Sequence, residues 1–392
     1  MLDAVTSNLK WITSPFAREA AVTDSRCDAI LKQFRGTGEC PADWPDDWER
    51  TGAPLVRRES TVYRLKSDQS DKTICIKIIH GGTRGSVNAG RLYDALRHYH
   101  PRSDRENGFT VPEPYGWIPE HAAVIMEWVE GRTFSETLKD DFLFTQRRHQ
   151  NIRRAAGWLR WFHSQSPVEQ GPLAGVRQIK GIARVFHQSD DLHPAATRHD
   201  PVLRAHLDLA SSFSHGLRGT EVACADLHGD FKATNLLISR SGNVVGLDFL
   251  GGKRGPISHD ICRFLCDLDF YRNWFGRSHA LNPGARSNDF EAFHSAYGNG
   301  CAGGLAGQTF MQVYFLTILS ALVHQRKKFR RGMIQRVRLV VLRSIARQLA
   351  NKISPRPRAV MQPTRLAWRN LPWIPIEWGV VIWQSDLIWC LQ

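Results

Sequence analysis

Acidic residues are missing from a long stretch near the C-terminal end of the chain. Between Ala292 and Ile376 there is no Asp or Glu, while the same stretch carries 14 Lys and Arg residues. The formal net charge of the 392-residue chain is +14, and the residues before Ala292 are nearly neutral, with 38 basic and 36 acidic side chains. The basic character therefore belongs to the C-terminal quarter and not to the whole protein.

The chain also lacks paired or clustered cysteines. Its eight cysteines are scattered, without any CxxC pair, at positions 27, 40, 75, 224, 262, 266, 301 and 390. A zinc site needs clustered ligands and a disulfide-stapled protein is smaller and denser in cysteine, so the spacing argues against both. With no signal-peptide pattern at the first residues, we expect a cytoplasmic protein.

A long hydrophobic run of membrane-spanning length is absent as well. The densest apolar segment is VYFLTILSALV, residues 313–323, which is 11 residues long. Crossing a bilayer takes about 20 apolar residues, so a buried helix is the better interpretation. There is no GxxxxGK sequence either, which excludes a P-loop nucleotide site.

The order of the predicted elements indicates an α+β fold. Residues 60–66 and 72–80 alternate apolar and polar side chains, as paired strands do, and residues 121–131 predict a further strand. Residues 86–100 predict a helix, and helical patterns dominate after residue 132. A small antiparallel-sheet lobe followed by a larger helical lobe accounts for this order.

One motif interrupts the helical part. The sequence HGDFKATN places Asp230 five residues before Asn235, and an apolar hairpin with its turn at 241–243 then leads to Asp248. Phosphoryl transfer needs a carboxylate facing the attacking hydroxyl, and Mg²⁺ prefers hard oxygen ligands. We therefore expect Asp230 to be the catalytic carboxylate and the hairpin to bring Asn235 and Asp248 to one metal ion.

The sequence HGDFKATN followed by LDF resembles the signature of the aminoglycoside phosphotransferase and choline kinase group, the small-molecule branch of the protein-kinase-like fold. The resemblance covers roughly residues 55 to 350. It implies two lobes, ATP and Mg²⁺ as cofactors, and transfer of the γ-phosphoryl group to a hydroxyl of a small-molecule acceptor.

The resemblance assigns roles to further residues. Lys77 corresponds to the strand lysine that contacts the α- and β-phosphates, and Asp94 is the nearest substitute for its usual glutamate partner, since no Glu lies between Lys77 and Arg105. The hinge would be MEWVEG, residues 126–131, where Met126 borders the adenine and the backbone of Glu127 and Val129 bonds it.

The remaining assignments concern the catalytic loop. His228 would order this loop, and Asp260 would brace it from the following helix. Lys232 has the position of the lysine that steadies the transferring phosphate in serine/threonine protein kinases. However, only six residues separate Asp248 from Gly255, which is too short for an activation segment, so a small-molecule acceptor is favoured over a protein.

The nucleotide-covering loop departs from the family pattern. It is expected between Pro54 and Val62, where the sequence PLVRRESTV contains no glycine. Approach to the phosphates would then be looser or would come from Ser60 or Thr61. Together with the absent helix glutamate, this leaves open a nucleotide-binding pseudokinase that serves as a scaffold.

The C-terminal basic segment, residues 326–352, has three interpretations. The first is a terminal helix that packs on the helical lobe by its apolar stripe. The second is a surface that is attracted to anionic membrane, which would place the protein at the inner face of a membrane as a lipid or polysaccharide kinase. The third and least favoured is a contact with nucleic acid. Residues 366–392 hold five tryptophans and suggest no mechanism.

The predicted organisation has five parts. They are an N-terminal extension (1–50), a nucleotide-binding sheet lobe (51–125), a hinge (126–131), a helical lobe with the catalytic loop and metal site (132–353), and a linker with the Trp-rich tail (354–392).

Overall fold

A computed structural model describes most of the chain before residue 299. The described residues are 24–57, 59–104, 106–140, 145–172, 221–249, 254–274 and 283–298. They belong to two compact units. The first holds the described residues up to Arg132 together with the segment from Leu237 to Phe249, and the second holds the rest. The segment that carries Asp248 is therefore part of the first unit, whereas the sequence had placed it in the helical lobe.

The first unit combines short strands with two helices. Up to residue 133 its elements are α1 (Asp24–Arg35), β1 (Glu49–Arg50), β2 (Leu55–Val56), β3 (Ser60–Lys66), β4 (Thr73–Ile79), α2 (Thr83–Tyr99), β5 (Phe109–Thr110), β6 (Pro114–Ile118), β7 (Ala123–Glu127) and β8 (Gly131–Thr133). The later segment of this unit contains most of β11 (Leu236–Ser239) and all of β12 (Val244–Gly246). Single 3-10 turns follow α2 and β6, at His100–Arg102 and Pro119–His121.

The main sheet is antiparallel, with the order β1-β3-β4-β7-β6, and β2 pairs with the free part of β3. The central strand β4 is buried along five consecutive residues because it has neighbours on both sides and packing on both faces. Since side chains alternate along a strand, Ile76 and Lys77 point to opposite faces. Ile76 belongs to an apolar core cluster, whereas Lys77 lies on the other face.

The segment before residue 51 completes that core. Cys27, Ile30 and Phe34 of α1 are fully buried and belong to the same cluster as the isoleucines of β4. Phe34 stacks edge-on against Trp44, with ring centroids 5.1 Å apart, and Trp44 contacts Trp48 in turn. The sheet therefore has an aromatic cover that the sequence pattern did not reveal.

Gly116 in β6 is required by the close approach of Phe34. A Cβ atom at this position would lie 2.2 Å from Phe34 Cε2, which cannot be accommodated without moving the ring. We expect Gly116→Ala to lower the free energy of unfolding by about 1–3 kcal/mol, measured by urea denaturation. Gly38→Ala is the matched control, because no heavy atom lies within 4 Å of its added Cβ. Equal stability of the two variants would contradict the packing described.

The second unit is mostly helical. Its elements are α3 (Phe134–Asp140), α4 (Thr145–Ser164), β9 (Glu169–Pro172), β10 (Glu221–Asp226), β13 (Arg254–Pro256), α5 (Ser258–Trp274) and α6 (Pro283–Tyr297). The strands form a small antiparallel sheet in the order β13-β10-β9. Aromatic rings fill the centre of this unit, where Trp158 of α4 stacks on Phe162 and on Phe231, and Phe231 packs on Phe264 of α5.

Several predictions fall outside the described residues. These are the apolar segment 313–323, the basic segment 326–352, the linker and the Trp-rich tail 366–392. Among the residues that the structure does describe, no helix is both long and apolar enough to span a bilayer. The predicted strands at 60–66 and 72–80 and the hairpin turn near residue 242 are confirmed, since β3, β4 and the β11–β12 pair lie there.

Candidate active site

The HGDFKATN motif forms a tight loop between β10 and β11 of the chain. Gly229 has a φ of 84°, a left-handed conformation that glycine adopts without steric cost, and this turns the chain before Asp230. A single 3-10 turn, Ala233–Asn235, ends the loop. The motif is therefore a compact turn that presents its side chains from a short stretch of backbone.

The Asp230 carboxylate is held through both of its oxygens. Lys232 Nζ donates a hydrogen bond to Oδ2, and Asn235 Nδ2 lies 3.2 Å from the same oxygen. Arg263 of α5 approaches Oδ1 through Nε at 3.3 Å and Nη2 at 3.2 Å. The side chain remains about one-third exposed, so an incoming hydroxyl can reach it.

The Asn235 side chain is oriented by the same loop. Its amide nitrogen also donates to the backbone oxygen of Asp230 at 3.0 Å, so the nitrogen is used within the loop. The side-chain oxygen Oδ1 faces away from that contact and accepts only a long hydrogen bond, 3.4 Å, from the Thr234 hydroxyl. The atom that Asn235 presents to a ligand is therefore an oxygen, which is the type of donor that Mg²⁺ prefers.

Asp260, near the start of α5, fixes the backbone of the HGDFKATN loop by hydrogen bonds. Its fully buried carboxylate accepts hydrogen bonds from the backbone N–H of His228 at 2.7 Å and of Gly229 at 3.0 Å. The ring of His228 is also fully buried, and its Nδ1 accepts a long bond from the Asp230 amide, 3.4 Å. Both residues thus act on the backbone around Asp230.

Two histidines complete the hydrogen bonding of Asp260. His163 Nε2 lies 3.2 Å from one carboxylate oxygen and His259 Nδ1 lies 3.3 Å from the other. Burial alone would raise the pKa of Asp260, but the hydrogen bonds from His163 and His259 lower it well below the ordinary range of an aspartate. Because an ionised carboxylate only accepts hydrogen bonds, His163 Nε2 must carry a proton, and its Nδ1 contacts the Tyr297 hydroxyl at 2.6 Å. The brace therefore extends from the loop through α4 to the end of α6.

Sequence reasoning missed two residues on the same face of α5. Arg263 and Asp267 follow Asp260 by three and seven positions, which places all three on one side of the helix. Asp267 accepts a hydrogen bond from the Ala233 amide at 2.9 Å, and burial raises the pKa of its carboxyl while Arg263 opposes that rise. The spacing after Asp260 is the only signal in the sequence that could have identified them.

In the first unit, Asp248 is contacted by the predicted nucleotide residue Lys77 and by Arg57, which the sequence analysis did not single out. Lys77 Nζ forms an ion pair with Asp248 Oδ1, and Arg57 Nη1 lies 3.8 Å from Oδ2. Asp248 has a φ of 59°, a left-handed conformation that is uncommon for residues other than glycine and that occurs preferentially at functional sites. The local structure thus aims the carboxylate at the two cations despite a strained backbone.

The predicted pairing of Lys77 with Asp94 is wrong. Asp94 lies on the exposed face of α2, whereas Leu92 and Leu96 face the protein interior. Lys77 is 8% exposed, and its amine contacts Asp248. A carboxylate on the solvent side of the helix cannot reach it, so the charge of Lys77 is balanced by Asp248.

The predicted adenine segment lies at the end of β7. Met126 is opposite Cys75 in the sheet, so it shares the sheet face that carries Lys77. The Glu127 amide donates to the Glu113 carbonyl at 2.8 Å. A backbone hydrogen bond between Glu127 and an adenine would therefore use the Glu127 carbonyl as the acceptor. Val129 is half-buried in the segment that follows.

Comparison with known proteins identifies the family. The family model described as "Phosphotransferase enzyme family" matches residues 51–298, which is more than half of the chain. The chain belongs to this phosphotransferase family, and the α+β protein-kinase-like fold and the group suspected from the sequence are confirmed.

Solved structures show the same fold at low sequence identity. An amicoumacin kinase, in complex with AMP-PNP, Ca²⁺ and amicoumacin, has a TM-score of 0.55 and 16% identity, with 86% of this chain and 96% of that chain covered. Choline kinase from Cryptosporidium parvum has a TM-score of 0.54 and 11% identity over 83% and 97% of the two chains. Choline kinase LicA from Streptococcus pneumoniae has a TM-score of 0.52 and 14% identity over 84% and 99%. No curated protein matches the sequence.

Proposed function

We propose that the protein transfers the γ-phosphoryl group of ATP to a hydroxyl group of a small molecule. The acceptor oxygen attacks the γ-phosphorus, the bond from that phosphorus to the bridging oxygen of the β-phosphate breaks, and ADP leaves. The acceptor loses its proton to Asp230. The products are a phosphate monoester and ADP, so atoms and charge balance.

The observation that carries the proposal is the arrangement around Asp230. Its carboxylate is accessible, the two residues before it are held by Asp260, and its oxygens are fixed by Lys232 and Arg263. A carboxylate held in one orientation can align a hydroxyl for in-line attack, and positioning is the largest contribution that a protein makes to phosphoryl transfer. Lys232 also brings a positive charge to this position, where it can offset the charge of the transferring group.

The nucleotide and metal roles follow the family motif. We assign the contact with the α- and β-phosphates to Lys77 and the adenine contacts to Met126, Glu127 and Val129. The donor set fits Mg²⁺, since Asn235 has a side-chain oxygen that is not used by the loop's amide contacts and Asp248 supplies a carboxylate. Asn235 and Asp248 would hold the ion, which offsets phosphate charge when it is bound.

The short interval after Asp248 bears on the class of acceptor. The six residues between Asp248 and Gly255 leave no room for a folded activation segment, which favours a small molecule over a protein. In this fold the acceptor pocket is built by the variable helices that follow the hinge, and residues 173–220 lie outside the described part of the chain. Amino alcohols, aminoglycosides and sugars are the hydroxyl compounds to test first.

The test is a phosphate-transfer measurement on the purified full-length chain. The protein is incubated with ATP and magnesium and with each acceptor separately, and phosphorylated product is detected by mass spectrometry together with ADP release. We expect a phosphate monoester of at least one acceptor, and we expect chelation of the metal by EDTA to stop its formation. ATP binding, seen as a rise in melting temperature, without turnover of any acceptor would instead support a pseudokinase scaffold.

A further inference from the structure

The turn between β2 and β3 stands where a glycine-rich loop would normally cover the nucleotide phosphates. Such a loop binds phosphate through free backbone amides. Here the Arg57 amide is already used, because it donates to the Ser60 carbonyl at 2.8 Å and closes the turn. The Glu59 carbonyl in turn accepts a hydrogen bond from the His80 amide at 2.9 Å. The described residues on the two sides of the turn therefore continue the antiparallel register of β2 and β3.

The two hydroxyl groups expected to replace the glycines are poorly exposed. Ser60 and Thr61 are 7% and 6% exposed, so both lie in the interior of the sheet. The Thr61 hydroxyl is also 3.0 Å from His80 Nε2 and is engaged there. Thr61 lies opposite Ile78, on the sheet face of the apolar cluster, so the expectation that it approaches the phosphates is wrong. Ser60 lies opposite Ile79, on the same face as Lys77, and for Ser60 the expectation stays a prediction.

Arg57 has the properties that these groups lack. Its side chain is 60% exposed, and its guanidinium points towards Asp248, with Nη1 3.8 Å from Oδ2. The other oxygen of the same carboxylate is bound by Lys77, the residue assigned to the nucleotide phosphates. Two cations, one directly after β2 and one in β4, thus converge on one carboxylate, which shows that both side chains can reach the same anionic group.

We propose that Arg57 is a nucleotide-phosphate ligand, which replaces the backbone amides of the missing glycine-rich loop by a side-chain guanidinium. The inference rests on the proposed function, because it takes ATP as the nucleotide. A guanidinium is planar and binds phosphate through two parallel N–H groups, so one arginine supplies both charge and orientation. Arg57 acts on the phosphates and leaves the adenosine part of the nucleotide to other residues.

The chemical class of the ligand predicts which nucleotides will respond to a change of Arg57. A backbone amide is uncharged, whereas a guanidinium is a full charge that is exposed to solvent and screened by salt. Binding of ATP should consequently depend on ionic strength through Arg57. Binding of adenosine, which has no phosphate, should not depend on Arg57 at all.

The test is direct binding of nucleotide to the full-length chain, measured by isothermal titration calorimetry with ATP and magnesium and, separately, with adenosine. We expect Arg57→Ala to raise the dissociation constant for ATP about tenfold and to leave that for adenosine unchanged. The weakening of ATP binding by added NaCl should also be smaller in Arg57→Ala than in the wild type.

Two further variants separate a ligand role from a structural one. Arg91→Ala removes the same charge from an exposed position of α2 in the same unit and should bind ATP like the wild type. Arg57→Lys keeps the charge but loses the planar fork, so its dissociation constant should lie between those of the wild type and Arg57→Ala. Melting temperatures of all variants report whether the fold is intact.

The possible outcomes distinguish the inference from the proposed function. Unchanged ATP affinity in Arg57→Ala, or an equal loss for ATP and adenosine, would overturn the role of Arg57 while leaving phosphoryl transfer untouched. A wild-type chain that binds ATP but phosphorylates no acceptor would remove the proposed function alone. A wild-type chain that binds no ATP would overturn both.

Discussion

Replacing Asp230 by asparagine should reduce kcat for phosphoryl transfer by about 10²–10⁴-fold, the range typical of removing a general base. Asparagine has nearly the same shape as aspartate but cannot accept the acceptor's proton. It also leaves Lys232 and Arg263 without the charge that they contact. The dissociation constant for ATP should change little, because the nucleotide contacts are assigned to other residues. The measurement is steady-state kinetics with whichever acceptor the screen identifies.

Asp94→Asn is the matched control for that experiment, since it makes the same chemical change on the exposed face of α2. It should retain wild-type kcat. The melting temperature of Asp230→Asn should stay close to that of the wild type, because ion pairs of partly exposed groups contribute little to stability. If Asp230→Asn kept more than a tenth of the wild-type kcat, another group would have to accept the proton.

Replacing Asp260 by asparagine should lower the free energy of unfolding by about 3–5 kcal/mol, the usual result of breaking a buried charged network. The buried carboxylate accepts hydrogen bonds from four N–H groups, two from the backbone and two from histidines. An asparagine would turn an amide nitrogen towards at least one of these donors, and that donor would lose its partner. Urea denaturation at neutral pH measures the loss. Asp94→Asn is again the control.

The pH dependence of stability supplies a second check on Asp260. Its pKa is lowered in the folded protein, so its stabilisation is present above the unfolded value, about 3.9, and is lost as the pH falls towards the folded value. The free energy of unfolding of the wild type should therefore fall on acidification below about pH 4.5, and that of Asp260→Asn should fall less steeply. If the free energy of unfolding fell equally steeply with acidification in the two proteins, the assigned hydrogen bonds would be contradicted.

Local patterns in the sequence were sufficient for the strands and the motif. The alternation in residues 60–66 fixes which side chains of β3 face the core, and β3 occupies the same residues in the structure. The apolar neighbours of Lys77 indicate a buried strand, and Lys77 is indeed buried in β4. The turn around Gly242 follows from its residue type, and Gly242 has a φ of 86°. Each of these features depends on residues close together in the chain.

The errors arose where the answer depends on distant residues. Asp94 was chosen because a lysine partner was expected, although the helical period already places it opposite Leu92 and Leu96. Arg263 and Asp267 matter because α5 packs against the catalytic loop, and the sequence indicates them only through their helical spacing after Asp260. The short amphipathic stretch of α1 gives no sign that Phe34 will contact Gly116 of β6.

The aromatic cover of the sheet has a practical consequence for dissecting the protein. Similarity to the phosphotransferase family begins at residue 51, after α1 and Trp48, yet Ile30, Phe34 and Trp48 pack in the same apolar cluster as the isoleucines of β4. A fragment trimmed to the start of that similarity would leave one face of the sheet bare, and a large uncovered apolar surface favours aggregation. A fragment that keeps this face of the sheet covered should accordingly include α1 from Asp24 onward, so the family similarity and the packing of the sheet begin at different residues.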